Sequence, residues 1–344
     1  MATSVIKQDA IDVIKICDEE FLSLSGKVIL LTGGTGFVGS SLIESVIAFN
    51  EMHPESPCIL LLPTRSMDFA LKRRPHFFNH RAIQWFEWNG KFLTPPIAGC
   101  DYVIHSAAPT DPEIYRESAM SAMEDIANGV SAVLDFARRE SISSMLYLSS
   151  GAVYGVQAND IEFQNESSRS APDLMHSSSC YGEAKRFAEL LCRASSVPCV
   201  IARLFAFIGP YQDLNGSFAV PDFIRQGIEH KEIIIKSSGS AIRTYSYASD
   251  LVISIWKLLM NGVEGEIYNV GASSPQLSIF QVAQSIAAEL GGVEVKVRKN
   301  TSSEIRSRYV PNIDKVSLIY KPKYSFEDGL RRTISSYLEG GTSR

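Results

Sequence analysis

The sequence predicts a doubly wound parallel α/β sheet. Three observations carry that prediction. Short apolar runs alternate with helical segments from residue 28 to residue 204; the runs are rich in Val, Ile and Leu; and the first ends in a glycine-rich loop. Strands covered on both faces read as continuous apolar runs, and parallel neighbours need a right-handed helical crossover between them. The expected strands are 28–32, 58–62, 83–87, 102–106, 145–149 and 199–204, with helical segments at 40–49, 119–139 and 181–194.

Ahead of the first strand, residues 5–24 place Ile6, Ala10, Val13, Ile14 and Cys17 at helical spacing. This predicts one amphipathic helix, an N-terminal extension over residues 1–26 that packs on the main body. Beyond residue 205 the pattern loosens. Turn residues in "GPYQDLNGS" precede a helix at 218–229, and the stretch from "AIRTYSYASDLVISIWKLL" to "YNVGA" reads as a helix and a strand returning to the sheet. Helices at 278–290 and 327–338 follow, mixed with short strands. The C-terminal part is therefore expected to form a smaller, interleaved substrate-binding region, over residues 211–241 and 271–344.

With 344 residues the chain can bury one large core or two modest ones, and its 45% apolar and 21% charged content is that of a globular protein. A net charge of −5 argues against a nucleic-acid or membrane-surface partner. Cys17, Cys58, Cys100, Cys180, Cys192 and Cys199 are scattered without metal-ligand spacing, which favours reduced thiols and no metal centre. No apolar run has the roughly 18 residues needed to span a bilayer. Acidic residues from Asp9 to Glu20 stand where a signal peptide needs an apolar core, so a cytoplasmic protein is expected.

Gly33, Gly36 and Gly39 form G-x-x-G-x-x-G between the first strand and a helix beginning near Phe37. The first glycine permits the tight turn and the second lets a pyrophosphate approach the backbone. The third lets helix and strand pack closely, with the phosphate at the helix N-terminus. A dinucleotide site follows, using Gly33, Gly36, Phe37, Val38 and Gly39. No Gly-Lys-Ser/Thr follows, so it is not a nucleotidase phosphate loop. Which dinucleotide depends on the second strand, where an acid would bind the ribose hydroxyls of NAD and an arginine the 2′-phosphate of NADP. "CILLLPTRS" has no carboxylate at its end, and Arg65 stands just beyond it. NADP(H) is favoured over NAD(H). Asn89 after the third strand and Ala107 after the fourth complete the cofactor candidates.

Tyr181 and Lys185 form Y-x-x-x-K at the start of a helical segment, so both lie on one helix face. A cation there is expected to lower the phenol from its usual value near 10 toward working pH, giving an acid/base for alcohol–ketone interconversion. The pattern gains weight from "YLSSGAVYG", about thirty residues earlier, where a strand ends in Ser149 and Ser150 at the carboxyl edge of the sheet. A serine there can hydrogen-bond the reacting oxygen.

Taken in order, "TGGTGFVG", "DYVIHSAA", "LSSGAVYG", "YGEAK", "RLFAFIGP", "RTYSYASDL" and "YNVG" resemble the extended short-chain dehydrogenases/reductases, specifically the NAD(P)-dependent nucleotide-sugar epimerase/dehydratase group. The resemblance covers about residues 27–338. It implies a dinucleotide-binding Rossmann domain over 27–210, rejoined by 242–270, and a cytoplasmic homodimer paired through the helices near 119–139 and 181–194. It implies Ser150, Tyr181 and Lys185 as the catalytic set, Lys185 also reaching the nicotinamide ribose. Arg243 matches the arginine that binds the nucleotide diphosphate, and Arg306 or Arg308 is similar to a second one.

The departures narrow the chemistry. The 4,6-dehydratases of this family carry Asp-Glu directly after the catalytic Thr, where this chain has Gly151 and Ala152. Related decarboxylases keep a glutamate at the second position, and 3,5-epimerising relatives a cysteine after the serine; neither is present. Ala206 replaces an asparagine that many members turn toward the sugar diphosphate. What remains is hydride exchange at C4 of a nucleotide-diphosphate sugar, with a 4-ketoreductase leaned over a 4-epimerase holding NAD tightly. Reduction of a non-sugar ketone and a non-catalytic cofactor-binding relative are the rival expectations.

Overall fold

A computed structural model describes residues 2–158, 160–298 and 307–340. Seven parallel strands form its main sheet: β1 Val28–Thr32, β2 Ile59–Thr64, β3 Ile83–Glu87, β4 Tyr102–His105, β5 Ser144–Ser150, β6 Cys199–Leu204 and β7 Ile267–Val270. Their spatial order is β3-β2-β1-β4-β5-β6-β7. The order reverses between β1 and β4, which pair through Ile29–Tyr102, Leu30–Val103, Leu31–Ile104 and Thr32–His105. In open α/β sheets that reversal opens the crevice in which ligands bind.

Alternation within each strand builds two cores. Ile29, Leu31, Leu60, Leu62, Leu146 and Leu148 face helices Phe37–Met52 and Ala248–Asn261, where Phe49 and Trp256 are fully buried. Leu30, Leu61, Val103, Met145 and Tyr147 face helices Ala119–Glu140 and Cys180–Ala194. Helices on both faces explain why these strands carry apolar residues at nearly every position.

Smaller pairings complete the molecule. Phe207–Ile208 runs parallel to Ser246–Tyr247, and Glu232–Ile235 to Glu294–Val297. Ile242–Arg243 lies between Leu277–Ser278 and Arg308–Tyr309. Helices Ala219–His230, Ile279–Glu289 and Phe326–Glu339 share a third core around Ile208, Phe223, Ile235, Ile286 and Leu330.

One expectation is corrected. The segment 5–24 is two helices, Ser4–Ile16 and Asp18–Ser23, rather than one. The break falls at Cys17, whose backbone leaves the helical region (φ −103°, ψ 30°) as its buried side chain meets the core. The helix after the glycine loop starts at Phe37, as the loop reading expected, because Gly36 provides its N-cap; it extends the segment expected at 40–49 to Met52. Among the described residues no helix is long and apolar enough to cross a membrane, and no group of three His, Cys, Asp or Glu could hold a metal.

Candidate active site

The loop after β1 is built for close approach. Gly33 has φ +78°, and a Cβ there would stand 2.9 Å from the Ala107 nitrogen on the neighbouring β4 loop. At Gly39 it would stand 2.2 Å from the Gly33 carbonyl oxygen, so any side chain would push helix and loop apart. The helix that begins at Phe37 has no side-chain cap. The first-turn N–H groups of a helix lack intrahelical acceptors, and its N-terminus carries partial positive charge. The amides of Phe37, Val38 and Gly39 thus suit a pyrophosphate. Thr32 ties the floor of the crevice together: its Oγ1 accepts from the Ser106 and Ala107 amides at 3.1 and 3.0 Å and lies 2.8 Å from His105 Nδ1. Burial pushes His105 down to about 3, so its ring stays neutral.

Arg65 and Asn89 sit at the exposed rim. Arg65 follows the last residue of β2 and lies 3.5 Å from Asp125, with most of its side chain in solvent. Asn89 caps its own turn, accepting from the Lys91 amide at 3.2 Å. Both lie at the carboxyl edge of the sheet, and Arg65 has no strong partner to displace.

Ser150 ends β5, and its hydroxyl accepts from the Ala152 amide at 3.1 Å. Tyr181 and Lys185 lie in the first two turns of helix Cys180–Ala194, on the face toward β5. Lys185 Nζ reaches the backbone of β5 and donates to the Leu148 carbonyl, two residues before Ser150, at 2.8 Å. Tyr115 packs edge-on against Tyr181, ring centroids 5.4 Å apart. The preceding Ser149 turns the other way and donates to Glu189 at 2.5 Å, and Arg203 completes that cluster with bonds to Glu189 of 2.9 and 2.6 Å.

The electrostatics correct one expectation. Lys185 does not lower the Tyr181 phenol. Burial raises that phenol above its ordinary value, and the Ser150 hydroxyl offsets part of the rise. Lys185 itself is pushed down to about 8 by burial, against the pull of Glu189 one turn away. The physical reason is desolvation, which disfavours the charged form of both groups.

On the far side of Ser150 the backbone turns through Gly151. A Cβ at Gly151 would lie 2.6 Å from the Tyr309 hydroxyl and 2.8 Å from the Phe205 ring. Tyr309 packs at a tilt against Phe205, ring centroids 4.6 Å apart, and donates to the Leu204 carbonyl at 3.3 Å. Arg243 borders the same wall, its guanidinium carbon 5.8 Å from the Tyr309 ring centre. It donates to the carbonyls of Ile242 and Ser307 at 2.8 and 3.2 Å and to the Ser307 hydroxyl at 3.2 Å. Arg308 faces away from Tyr309 along its strand, bonds Gln276, and keeps a buried Nε without a hydrogen-bond partner. Arg306 lies outside the described residues.

A family model described as the NAD dependent epimerase/dehydratase family matches residues 29–271. The chain belongs to this family. Among its relatives, UDP-glucuronic acid decarboxylase 1 of Xenopus tropicalis is 27% identical over 315 residues, covering 90% of this chain and 71% of that protein. The fold matches the UDP-N-acetylglucosamine 4-epimerase of Methanobrevibacter ruminantium in complex with UDP-N-acetylmuramic acid (TM-score 0.77, 20% identity, 92% and 99% of the two chains). It also matches a double mutant of the dTDP-glucose 4,6-dehydratase of Streptomyces venezuelae with NAD bound (TM-score 0.74, 22% identity, 90% and 97%).

The chain thus carries the glycine loop after β1 and Ser150 at the end of β5, both at the carboxyl edge of the sheet. Two features were not foreseen. Tyr309 joins the site from a strand more than a hundred residues downstream, a contact that no local pattern signals. The Ser149–Glu189–Arg203 cluster could have been suspected from Lys185 and Glu189, one helical turn apart.

Proposed function

We propose that the protein is a 4-ketoreductase of nucleotide-diphosphate sugars, with Ser150, Tyr181 and Lys185 as its catalytic set. The observation that carries this reading is the wall over Gly151. The dehydratases resembled here need a carboxylate at that position, and Tyr309 and Phe205 leave no room for one. Ala152 offers no carboxylate at the second position either, so proton transfer at C5 or C6 has no carrier there. Acid/base work at a single sugar oxygen needs only the phenol of Tyr181 and the hydroxyl of Ser150.

The dinucleotide, when bound, supplies hydride exchange at sugar C4. Gly33, Gly36, Phe37, Val38 and Gly39 would hold its pyrophosphate, Ala107 would line the nicotinamide side, and Asn89 the adenosine side. Lys185 would reach the ribose. Tyr181 is protonated at neutral pH, the state required of a donor to a ketone oxygen. Ser150 hydrogen-bonds the same oxygen. Arg243, with Arg306 or Arg308, would bind the diphosphate by charge-assisted hydrogen bonds. Arg65 after an acid-free β2 supports NADP(H) over NAD(H). Met120, Phe187 and Leu190 are exposed on the two helices of the outer layer, which supports pairing of two copies there.

The second reading is a 4-epimerase with tightly held NAD, favoured by the family's NAD dependence. One experiment separates them. The released cofactor is identified, and the protein is assayed against a panel of UDP- and dTDP-linked 4-keto-sugars and 4-epimer pairs. The reductase consumes NADPH stoichiometrically, and Arg65→Ala weakens NADPH binding about tenfold while sparing NADH. Bound NAD, interconversion of 4-epimers without added cofactor and a neutral Arg65→Ala would make it the epimerase.

A further inference from the structure

The segment that leaves β6 passes beside the glycine loop and then crosses the dinucleotide crevice. Phe207 packs against Phe37, the first residue of the helix after that loop, with ring centroids 5.3 Å apart. A Cβ at Gly209 would stand 3.2 Å from the same Phe37 ring, so the chain runs close to the helix end that suits a pyrophosphate. Further on, Asp213 accepts from Arg73 at 3.2 Å, and Ser217 donates to Asp111 at 2.7 Å. Arg73 ends helix Met67–Arg73, which follows β2, and Asp111 caps helix Pro112–Glu117, which follows β4. Because β1 lies between β2 and β4 in the sheet, residues 213–217 join the two banks of the crevice across the end of β1.

The two halves of this segment are held differently. Residues 207–212 form a fixed stem. The Gln212 side chain accepts from the Gly209 amide at 3.3 Å and donates to the Phe207 carbonyl at 3.1 Å, while the Gln212 carbonyl accepts from the Tyr337 hydroxyl at 2.7 Å. Tyr211 has φ +71°, uncommon for a residue with a side chain. Such a backbone persists only where its surroundings hold it, and here the phenol bonds Glu44 while the Arg74 guanidinium lies 4.4 Å from the ring centre. Residues 213–217 have a looser hold. The Gly216 amide closes a local turn on the Asp213 carbonyl at 3.1 Å, Leu214 rests on the edge of the third core, and Arg225 donates to the Leu214 carbonyl at 3.2 Å. The bonds to Arg73 and Asp111 are both exposed to solvent. Exposed ion pairs contribute little to stability, so these are latches that open easily.

We propose that residues 213–217 are a strap over the bound dinucleotide, latched to one bank by Asp213 and to the other by Ser217. The inference rests on the cofactor placement proposed above and applies to NADPH and NADH alike. With both latches made, the strap covers the pyrophosphate at the glycine loop; with them released, the stem stays in place and the crevice is open to solvent. Loops that close over a ligand in this way set its rates of entry and exit. A strap on two weak latches suits a cofactor exchanged at every turnover, as a reductase requires.

The test is stopped-flow fluorescence of the full chain with NADPH and, separately, with NADH. Association is followed directly, and dissociation by a chase with excess oxidised cofactor. Asp213→Asn removes the charge from the Arg73 pair and keeps the side-chain oxygen that accepts the Asn215 amide at 3.0 Å; Ser217→Ala removes the donor to Asp111. The double variant is expected to bind and to release the dinucleotide about fivefold faster than the parent, with Kd within about twofold and an unchanged melting temperature. Equal acceleration in both directions marks a gate, because opening precedes entry and exit alike. Rates equal to those of the parent would overturn the strap. So would faster release with unchanged entry and a weaker Kd, which would make these residues ligands of the cofactor instead. A parent that binds neither NADPH nor NADH would remove the cofactor placement first, and the strap with it.

Discussion

Lys185 and Tyr181 carry opposite burdens from the same cause. Each loses hydration in the packed angle between β5 and its helix, so each is biased to its neutral form. For the phenol, neutrality is the protonated state that a ketone needs. For Lys185, neutrality means losing its charge at about 8 rather than 10.5, with Glu189 resisting. The sign is then fixed: the ammonium is present below about 8 and lost as pH rises through it. If its ammonium is what holds the cofactor ribose, turnover should decline above that pH. Tyr181→Phe should cost at least about 10²-fold in kcat with cofactor binding retained, since the ring stays and the proton carrier goes. Rate profiles for both proteins check this; a parent profile flat from about pH 7 to about pH 9.5 would show that the lysine's charge is not used.

Among the elements, the turn at Gly151 has the narrowest tolerance. A methyl group there would meet the Tyr309 hydroxyl and the Phe205 ring below 3.0 Å, and the two rings pack against each other. Gly151→Ala is therefore expected to cost about 1–3 kcal/mol of stability and most of the activity. Denaturant unfolding beside a turnover assay checks it. A variant equal to the parent in both would mean that a side chain fits, and the argument against a carboxylate at 151 would lose its basis. The same element marks how far the sequence could be read. The strands β1 and β6 were legible to the residue because apolar runs buried on both faces end sharply, and the edge strand β3, largely half-buried, matched its expected bounds as well. The crevice was legible because glycine spacing next to a strand has few other uses. The break at Cys17 was not, since tertiary packing of that side chain interrupts a periodicity that otherwise continues. Nor was Tyr309, whose partners at Leu204 and Phe205 lie more than a hundred residues away in the chain.

Across the whole molecule, the first helix holds the last one in place. Helix Ser4–Ile16 buries Ile6, Ala10, Val13 and Ile14. It is bolted to helix Phe326–Glu339 by Thr3 with Ser336 at 3.0 Å and by the Ser4 hydroxyl donating to Glu339 at 2.8 Å. Its Asp9 accepts from Arg332 on that last helix and from Tyr247, beside the strand that carries Arg243. The junction therefore links the N-terminal helix to the element that frames the substrate side of the site. Burial raises Asp9 from 3.8 to about 6, despite Tyr247 and Arg332. A carboxyl with a raised folded value stabilises most below its unfolded value and loses that contribution as pH rises through about 6. Asn in its place keeps the shape of the protonated acid but does not titrate. The stability difference, parent minus Asp9→Asn, should accordingly shrink between about pH 4 and about pH 7, as measured by paired denaturant titrations. A difference that grows over the same range would show that the ion pair with Arg332 outweighs desolvation, and that the charged form is the one the junction prefers.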